Sequence, residues 1–205
     1  LGKSVNEAIG ARVSPVGDLN GDGFSDFFLS SNSYYNPANA SHAGYIVWGS
    51  ASGFGDQQGL LDLSTTGLSS GVVIDRSIVT DLNKAWVRPA GDIDQDGLTD
   101  FLVRATPLYP GSDAWVVFGK ALGNGSSLQL SQLDGRDGFK IHGENSDPRI
   151  VTSAGDLNGD GINDLLVSGK ISATLLSEGP YLPSGPPNET FVVFGSASGF
   201  GSSID

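Results

Sequence analysis

The stretch Gly17-Asp-Leu-Asn-Gly-Asp-Gly-Phe-Ser-Asp26 determines how the rest of this sequence is interpreted, because the chain repeats its design twice. The second copy is Gly91-Asp-Ile-Asp-Gln-Asp-Gly-Leu-Thr-Asp100, and the third is Gly155-Asp-Leu-Asn-Gly-Asp-Gly-Ile-Asn-Asp164. The first aspartates of successive copies are 74 and then 64 residues apart. A segment that recurs at such intervals indicates a protein built from repeated structural units.

The flanks of the three loops repeat as well, and they have the composition of β-strands. A valine precedes each loop at the same offset, an apolar run follows each loop directly, and a second apolar run ends in glycine each time. The valines are Val13, Val87 and Val151; the runs after the loops are Phe27–Leu29, Phe101–Val103 and Leu165–Val167; the runs that end in glycine are Tyr45–Gly49, Trp115–Gly119 and Phe191–Gly195.

Each unit therefore predicts three or four short strands joined by turns, since strand-like pieces also occur at Val72–Ile74 and Phe139–Ile141. Such a unit cannot bury its apolar faces alone, so neighbouring units must stack on one another. Small sheets repeated at this period predict an all-β fold made of β-propeller blades. A flat sandwich with metal-binding loops is the alternative, but it does not explain why the loop recurs once per unit.

The charge of the chain is concentrated in the loops. The formal net charge is −12, and 10 of the 23 acidic residues lie in the three loops, which leaves 13 acidic residues against 11 basic ones elsewhere. Nucleic acid is not expected as a partner, because phosphate binding needs clustered Lys and Arg. The absence of cysteine excludes disulfides and thiolate sites. No apolar run approaches the ~20 residues of a membrane-spanning helix.

The loops carry the donor groups of a calcium site. Calcium takes roughly six to eight oxygen ligands in flexible geometry, and the pattern D-x-[DN]-x-D-G-x-x-D supplies oxygens at alternate positions of a tightly curled backbone. Four side chains and one main-chain carbonyl are predicted to bind in each loop. The predicted ligands are Asp18, Asn20, Asp22, Asp26 and the carbonyl of Phe24; Asp92, Asp94, Asp96, Asp100 and the carbonyl of Leu98; and Asp156, Asn158, Asp160, Asp164 and the carbonyl of Ile162.

Turns without a ligand, magnesium sites and EF-hands have similar sequences, but each fits the loops less well than calcium sites do. Asn-Gly and Asp-Gly pairs are common hairpin turns that bind nothing, but carboxylates crowded in three copies of one register would repel each other without a cation. Calcium is favoured over magnesium because the loop is an all-protein cage. An EF-hand would have helical flanks and a bidentate Glu at position twelve, whereas this chain has β-rich flanks and Leu29, Val103 and Val167 at that position.

These loops and their flanks resemble the FG-GAP repeats of integrin alpha-chain propellers and their bacterial relatives, and the whole chain divides into three such repeats. The pair that gives the motif its name is replaced by Ile9-Gly10, Asn83-Lys84 and Asp147-Pro148, and its Gly-Ala-Pro part is closest to Arg104–Pro107. The resemblance implies a propeller with calcium in hairpin loops on one face, and an extracellular adhesion or scaffold role.

We therefore expect a non-enzymatic module, extracellular or at the cell surface, for adhesion, surface architecture or protein–protein interaction, with a protein or glycan ligand. Two alternatives stay open. One is a carbohydrate-binding propeller whose loop tyrosines stack on sugars, and the other is a non-catalytic module of a larger secreted enzyme. The tyrosines are Tyr34, Tyr35, Tyr109 and Tyr181, and candidate glycosylation triplets begin at Asn39, Asn124 and Asn188.

The repeats are placed at 1–55, 56–125 and 126–201, with 202–205 as the start of a further repeat. Propeller rings typically have about four to eight blades, and the chain begins at Leu1 rather than at a methionine. We therefore expect either further blades in a longer chain or copies that join head to tail. Head-to-tail joining gives a ring if it closes and a filament if it does not.

Overall fold

The computed structural model describes residues 8–32, 42–53, 63, 70–75, 86–104, 113–119, 122–123, 125–141, 143–171 and 189–200. Over these ranges the protein is all-β: it forms three sheets, with a short 3-10 turn at Leu130–Gln132. In this part of the chain no helix has the length and apolar character needed to cross a membrane. The all-β prediction is confirmed.

The three sheets share one plan, in which strands that follow each other in sequence lie side by side and antiparallel. In the first sheet a short strand, β8, which lies in sequence between two strands of the second sheet, is added in parallel at the edge beside β4. The strands of the first sheet are β1 (Ala8–Gly17), β2 (Asp26–Asn32), β3 (His42–Val47), β4 (Gly71–Asp75) and β8 (Ser127–Leu128). The second sheet contains β5 (Trp86–Gly91), β6 (Asp100–Arg104), β7 (Ala114–Val117) and β9 (Gly138–Ile141). The third contains β10 (Gly143–Gly155), β11 (Asp164–Ile171) and β12 (Glu189–Val193).

The predicted apolar runs all lie in strands, except that β3, β7 and β12 end two residues before the glycine of their runs. Alternate residues of each run point to opposite faces of a sheet. Val72–Ile74 and Phe139–Ile141 also lie in strands, β4 and β9. These two strands pair with β3 and β7, so each completes the sheet that contains the loop preceding it in sequence.

The sheets stack face to face in the order of the chain. One apolar cluster joins the first two sheets, with Phe28 and Trp48 on one side and Trp115 on the other. A second cluster joins the second and third sheets, with Phe118 on one side and Leu165 on the other. The central strands β6 and β7 of the second sheet are therefore buried on both faces, which agrees with their almost continuously apolar sequences. The first strands lie nearest one another, since β1 contacts β5 and β5 contacts β10.

Candidate metal centres

Each Asp-rich loop joins the first two strands of a sheet, and the three loops have the same register. Across the loop the paired residues are Gly17 and Asp26, Gly91 and Asp100, and Gly155 and Asp164. The sixth loop position has φ of 88°, 89° and 87° in the three copies. Because only glycine adopts this left-handed conformation without strain, the sequence places Gly23, Gly97 and Gly161 there.

The first aspartate of each loop curls the backbone around its own carboxylate. Asp18 accepts hydrogen bonds from the N–H groups of Gly21 at 2.8 Å and Asp22 at 3.1 Å through Oδ1, and from Gly23 at 2.8 Å through Oδ2. The third loop repeats all three bonds and the second repeats two of them, with Asp156 and Asp92 as the acceptors. Positions four to six in the first and third loops, and positions five and six in the second, are thereby held over the first carboxylate.

The residues at the third and fifth loop positions are hydrogen-bonded to each other in the same turn. Asn20 accepts a hydrogen bond from the Asp22 N–H through Oδ1 at 3.0 Å, and its Nδ2 donates to Asp22 Oδ2 at 3.0 Å. Asn158 and Asp160 form the same pair in the third loop. In the second loop Asp94 replaces the asparagine and accepts from the Asp96 N–H at 3.3 Å. The side chains of positions one, three and five therefore share one turn of backbone.

The ninth aspartate is buried and connects the loop to the end of the third strand of its sheet. Asp100 accepts the N–H of Ile93 through Oδ2 at 2.8 Å and the N–H of Gly119 through Oδ1 at 3.0 Å. Asp26 binds Leu19 and Gly49 in the same way, and Asp164 binds Leu157 and Gly195. The sequence predicts only that this residue closes a metal site. In the structure it also fastens the loop to the end of the third strand.

The glycine after the third strand was the sequence signal for this second role. Gly49, Gly119 and Gly195 each lie against the carbonyl oxygen of the eighth loop residue, where an added Cβ would collide with it. Only glycine lets the strand end approach closely enough to donate its N–H to the ninth aspartate. The glycine that ends each predicted apolar run is therefore explained by the loop.

In the second loop three carboxylates converge. One oxygen each from Asp92, Asp94 and Asp100 lies within 4.8 Å of the others, an arrangement that could hold a metal ion. Burial raises the pKa of Asp100 to about 7; the hydrogen bonds from Ile93 and Gly119 oppose this shift, and the nearby charges of Asp94 and Asp96 add to it. Burial likewise raises the pKa of Asp26 in the first loop.

These observations fit a hard divalent cation. A cluster of acidic oxygens that burial destabilises in the charged form is one that a bound cation would stabilise. Oxygen donors are also the ligands that calcium takes. Asp96 lies in the same turn as the three clustered aspartates, and asparagine replaces one carboxylate in the first and third loops. The carbonyl ligands predicted at Phe24, Leu98 and Ile162 stay a prediction.

Neighbouring loops are hydrogen-bonded to each other. The N–H of Thr99 donates to the carbonyl of Asp18 at 3.2 Å, and the N–H of Asn163 donates to the carbonyl of Asp92 at 3.0 Å. Asn163 also accepts the Asp92 N–H through Oδ1 at 3.0 Å. The eighth residue of one loop thus contacts the first residue of the preceding loop. The three loops lie side by side along one edge of the stacked sheets.

One short stretch of the sequence matches a catalytic motif but lies in a different structural context. Gly67-Leu-Ser-Ser-Gly71 matches the letters of the G-x-S-x-G elbow of serine hydrolases, which lies in a sharp turn from a strand into a helix. Here Gly71 begins β4, so a strand follows where the elbow needs a helix. The match gives no support to a hydrolase.

Two groups of residues named from the sequence lie outside the described ranges. They are the tyrosines suggested for sugar stacking (Tyr34, Tyr35, Tyr109 and Tyr181) and the glycosylation triplets at Asn39, Asn124 and Asn188.

Comparison with known proteins returned no protein-family model and no curated protein sequence that matches this chain. The resemblance to FG-GAP repeats therefore rests on the residues of the chain itself.

Proposed function

We propose that this chain is a calcium-stabilised segment of an FG-GAP-type β-propeller that serves adhesion, surface architecture or protein–protein interaction outside the cell. The observation that carries the proposal is the recurrence of one acidic loop, with one set of internal hydrogen bonds, in three sheets that stack in sequence. A turn that binds nothing has no need of converging carboxylates such as those of Asp92, Asp94 and Asp100, whose oxygens lie within 4.8 Å of one another.

The arrangement of the strands supports the propeller part of the proposal. Propeller blades are small antiparallel sheets arranged radially around a central channel, so the first strands of successive blades are expected to be neighbours. Here β1 contacts β5, and β5 contacts β10. The large apolar clusters between successive sheets are the contacts that stacked blades require.

The donor set supports calcium in particular. In each loop the chain supplies four polar side chains and, by prediction, one carbonyl, and calcium accepts such a protein-built cage more readily than magnesium, which keeps several waters. Extracellular calcium modules have dissociation constants of about 10⁻⁴–10⁻³ M. Sites that depend on exposed loops of this kind would be filled outside the cell, which is the reason for the proposed location.

We expect a calcium titration to give a stoichiometry of three, with the second loop filling first. The second loop offers four carboxylates, while the first and third offer three and an asparagine, and greater ligand charge generally tightens calcium binding. Isothermal titration calorimetry of the wild type and of Asp22→Ala, Asp96→Ala and Asp160→Ala would assign the phases.

Asp96→Ala should remove the tightest phase, and each of the other two variants should remove a weaker one. A wild-type chain that takes up no calcium at millimolar concentration would refute the proposal. Loss of the weakest phase in Asp96→Ala would leave calcium binding intact but reverse the order of the sites.

Calcium uptake is expected to release protons near pH 6. The folded, metal-free protein raises the pKa of Asp100 from 3.8 to about 7, so between these values the folded state holds a proton that the unfolded state lacks. The metal-free protein should therefore lose stability through this group as pH rises from about 4 to about 7. A bound cation requires the charged carboxylate and must displace that proton.

Calorimetry in buffers of different ionisation enthalpy measures this release directly. The apparent binding enthalpy should depend on the buffer at pH 6 and should lose most of that dependence at pH 8, where Asp100 is already charged. Equal apparent enthalpies in all buffers at pH 6 would show that no protonated carboxyl takes part in binding.

A further inference from the structure

The second sheet carries two arginines beside a tryptophan on one of its faces. Trp86 and Arg88 lie two residues apart on β5, so they are on the same face of the sheet, and Arg104 on β6 is paired directly with Trp86. The guanidinium carbon of Arg88 lies 5.0 Å from the centre of the Trp86 ring, and that of Arg104 lies 6.0 Å from it. These three residues are here called the arginine cluster.

The strand positions of the two arginines carry small hydroxyl residues in the other repeats. The corresponding residues are Ser14 and Thr152 for Arg88, and Ser30 and Ser168 for Arg104. The first two strands of all three sheets pair in the same antiparallel way, so this pairing forms without arginine at either position. The architecture of the repeat therefore does not account for the arginine cluster.

The Trp86 ring holds the guanidinium groups in place. A cation within about 6 Å of the centre of a tryptophan ring is attracted by the negative face of the ring. Trp86 is itself fixed, because it packs against the apolar cluster between the second and third sheets. Stacking uses the flat face of a guanidinium and leaves the N–H donors at its edge directed outward, in a fork that matches the two oxygens of a carboxylate. The cluster is thus arranged to bind an anion before one arrives.

The Arg88 side chain is accessible to such an anion. It is exposed, and it forms no ion pair within the described part of the chain. The acidic loop lies at the other end of the sheet, after β5 ends at Gly91 and before β6 begins at Asp100. In a chain with a formal net charge of −12, this exposed arginine has no acidic partner of its own. Its N–H donors are open to an acidic group from another molecule.

We propose that the arginine cluster binds a single carboxylate of a protein partner, the side chain of an exposed aspartate or glutamate. The fork of Arg88 receives the two carboxylate oxygens, and the half-buried Arg104 adds a second positive charge at the same ring. The net charge of the chain favours one acidic group over a polyanion, because further negative charges would be repelled. The inference rests on the proposed recognition role only for the choice of a protein as partner, since the cluster is separate from the calcium loops.

NMR titration of the calcium-loaded 205-residue chain tests the site. The probe is a capped peptide of glycine and serine with one central aspartate, and the same peptide with asparagine is its uncharged counterpart. An oligoglucuronate serves as the polyanion. The Nε–H signal of Arg88 and the indole N–H signal of Trp86 report binding at the cluster itself. Calcium uptake by the same sample is measured separately by calorimetry.

We expect the aspartate peptide to shift both signals in a saturable way and the asparagine peptide to leave them unchanged. Arg88→Ser, which introduces the residue found at this position in the first repeat, should weaken binding about tenfold or more through the loss of charge-assisted hydrogen bonds. Arg88→Lys should weaken it nearly as much, because lysine keeps the charge but not the fork. Arg136→Ser is the matched control: it removes an exposed arginine that is paired with Asp134 at 2.8 Å, and it should bind like the wild type.

Trp86 is a positioning residue in this proposal, so its ring rather than its bulk should matter. Trp86→Phe should keep most of the affinity, whereas Trp86→Leu, which is apolar but has no ring, should lose it. The proposal would be overturned by equal shifts with the aspartate and asparagine peptides, by an Arg88→Lys variant that binds as tightly as the wild type, or by tighter binding of the oligoglucuronate than of the peptide. A wild type that takes up calcium but shows no saturable shift would refute this inference alone and leave the proposed calcium sites standing.

Discussion

Removal of calcium with a chelator is expected to lower the melting temperature of this protein by about 10 °C. A ligand that binds only the folded state stabilises it by RT ln(1 + [L]/Kd), which is about 1–2 kcal/mol for each site when calcium exceeds the dissociation constant roughly tenfold. Three sites together then contribute about 3–6 kcal/mol. For a chain of this size, each kcal/mol shifts the melting temperature by about 2–4 °C.

Differential scanning calorimetry in millimolar calcium, in equimolar magnesium and in chelator would measure the shift. Magnesium should restore only a small part of it. The triple variant Asp22→Ala, Asp96→Ala, Asp160→Ala is the control, because it removes one exposed ligand from each loop and should melt at the same temperature with and without calcium. If the wild type melted at one temperature in all three buffers, the loops would not be stabilising metal sites.

The second large effect is expected from Asp100→Ala, which should lower the free energy of unfolding by about 2–4 kcal/mol even in chelator. The side chain is fully buried and accepts two main-chain hydrogen bonds, from Ile93 and Gly119. Its removal leaves two N–H groups without their acceptor, and a buried unsatisfied group costs about 1–3 kcal/mol. Relief of the raised pKa of this carboxyl offsets part of the loss at neutral pH.

Asp96→Ala is the matched control, since Asp96 belongs to the same loop but is exposed. In chelator it should lower the stability by less than about 1 kcal/mol, and only in calcium should it approach the larger loss. Urea unfolding of both variants in the two buffers separates the two roles of the loop. Equal losses for the two variants in chelator would show that Asp100 acts only as a metal ligand.

The positions of the strands and loops were predictable because short stretches of sequence specify both of them. The pattern of Phe27–Leu29 and Tyr45–Gly49 specifies strands locally, and the spacing of Asp18, Asn20 and Asp22 specifies a curled, oxygen-lined loop. Local patterns of this kind need no knowledge of the partner element.

Pairing between distant elements was not predictable in the same way. The run Val72–Ile74 has the composition of a strand, but nothing in it specifies that it pairs with β3 rather than with the strands that follow it. The two hydrogen bonds of Asp100 join residues that are 7 and 19 positions away. The glycine at the end of each third strand was visible in the sequence. The structure adds the reason for it, which is the close contact between the end of that strand and the loop.

The connections at one end of each sheet have a constant length, and those at the other end vary in length. Eight residues join the first two strands in all three sheets, whereas 9, 9 and 17 residues join β2 to β3, β6 to β7 and β11 to β12. Antiparallel pairing puts these second connections at the opposite end of the sheets from the Asp-rich loops. Insertions there leave the carboxylates and their hydrogen bonds untouched. Changes of length or sequence at that end are therefore expected to leave the loops and the pairing of the strands intact.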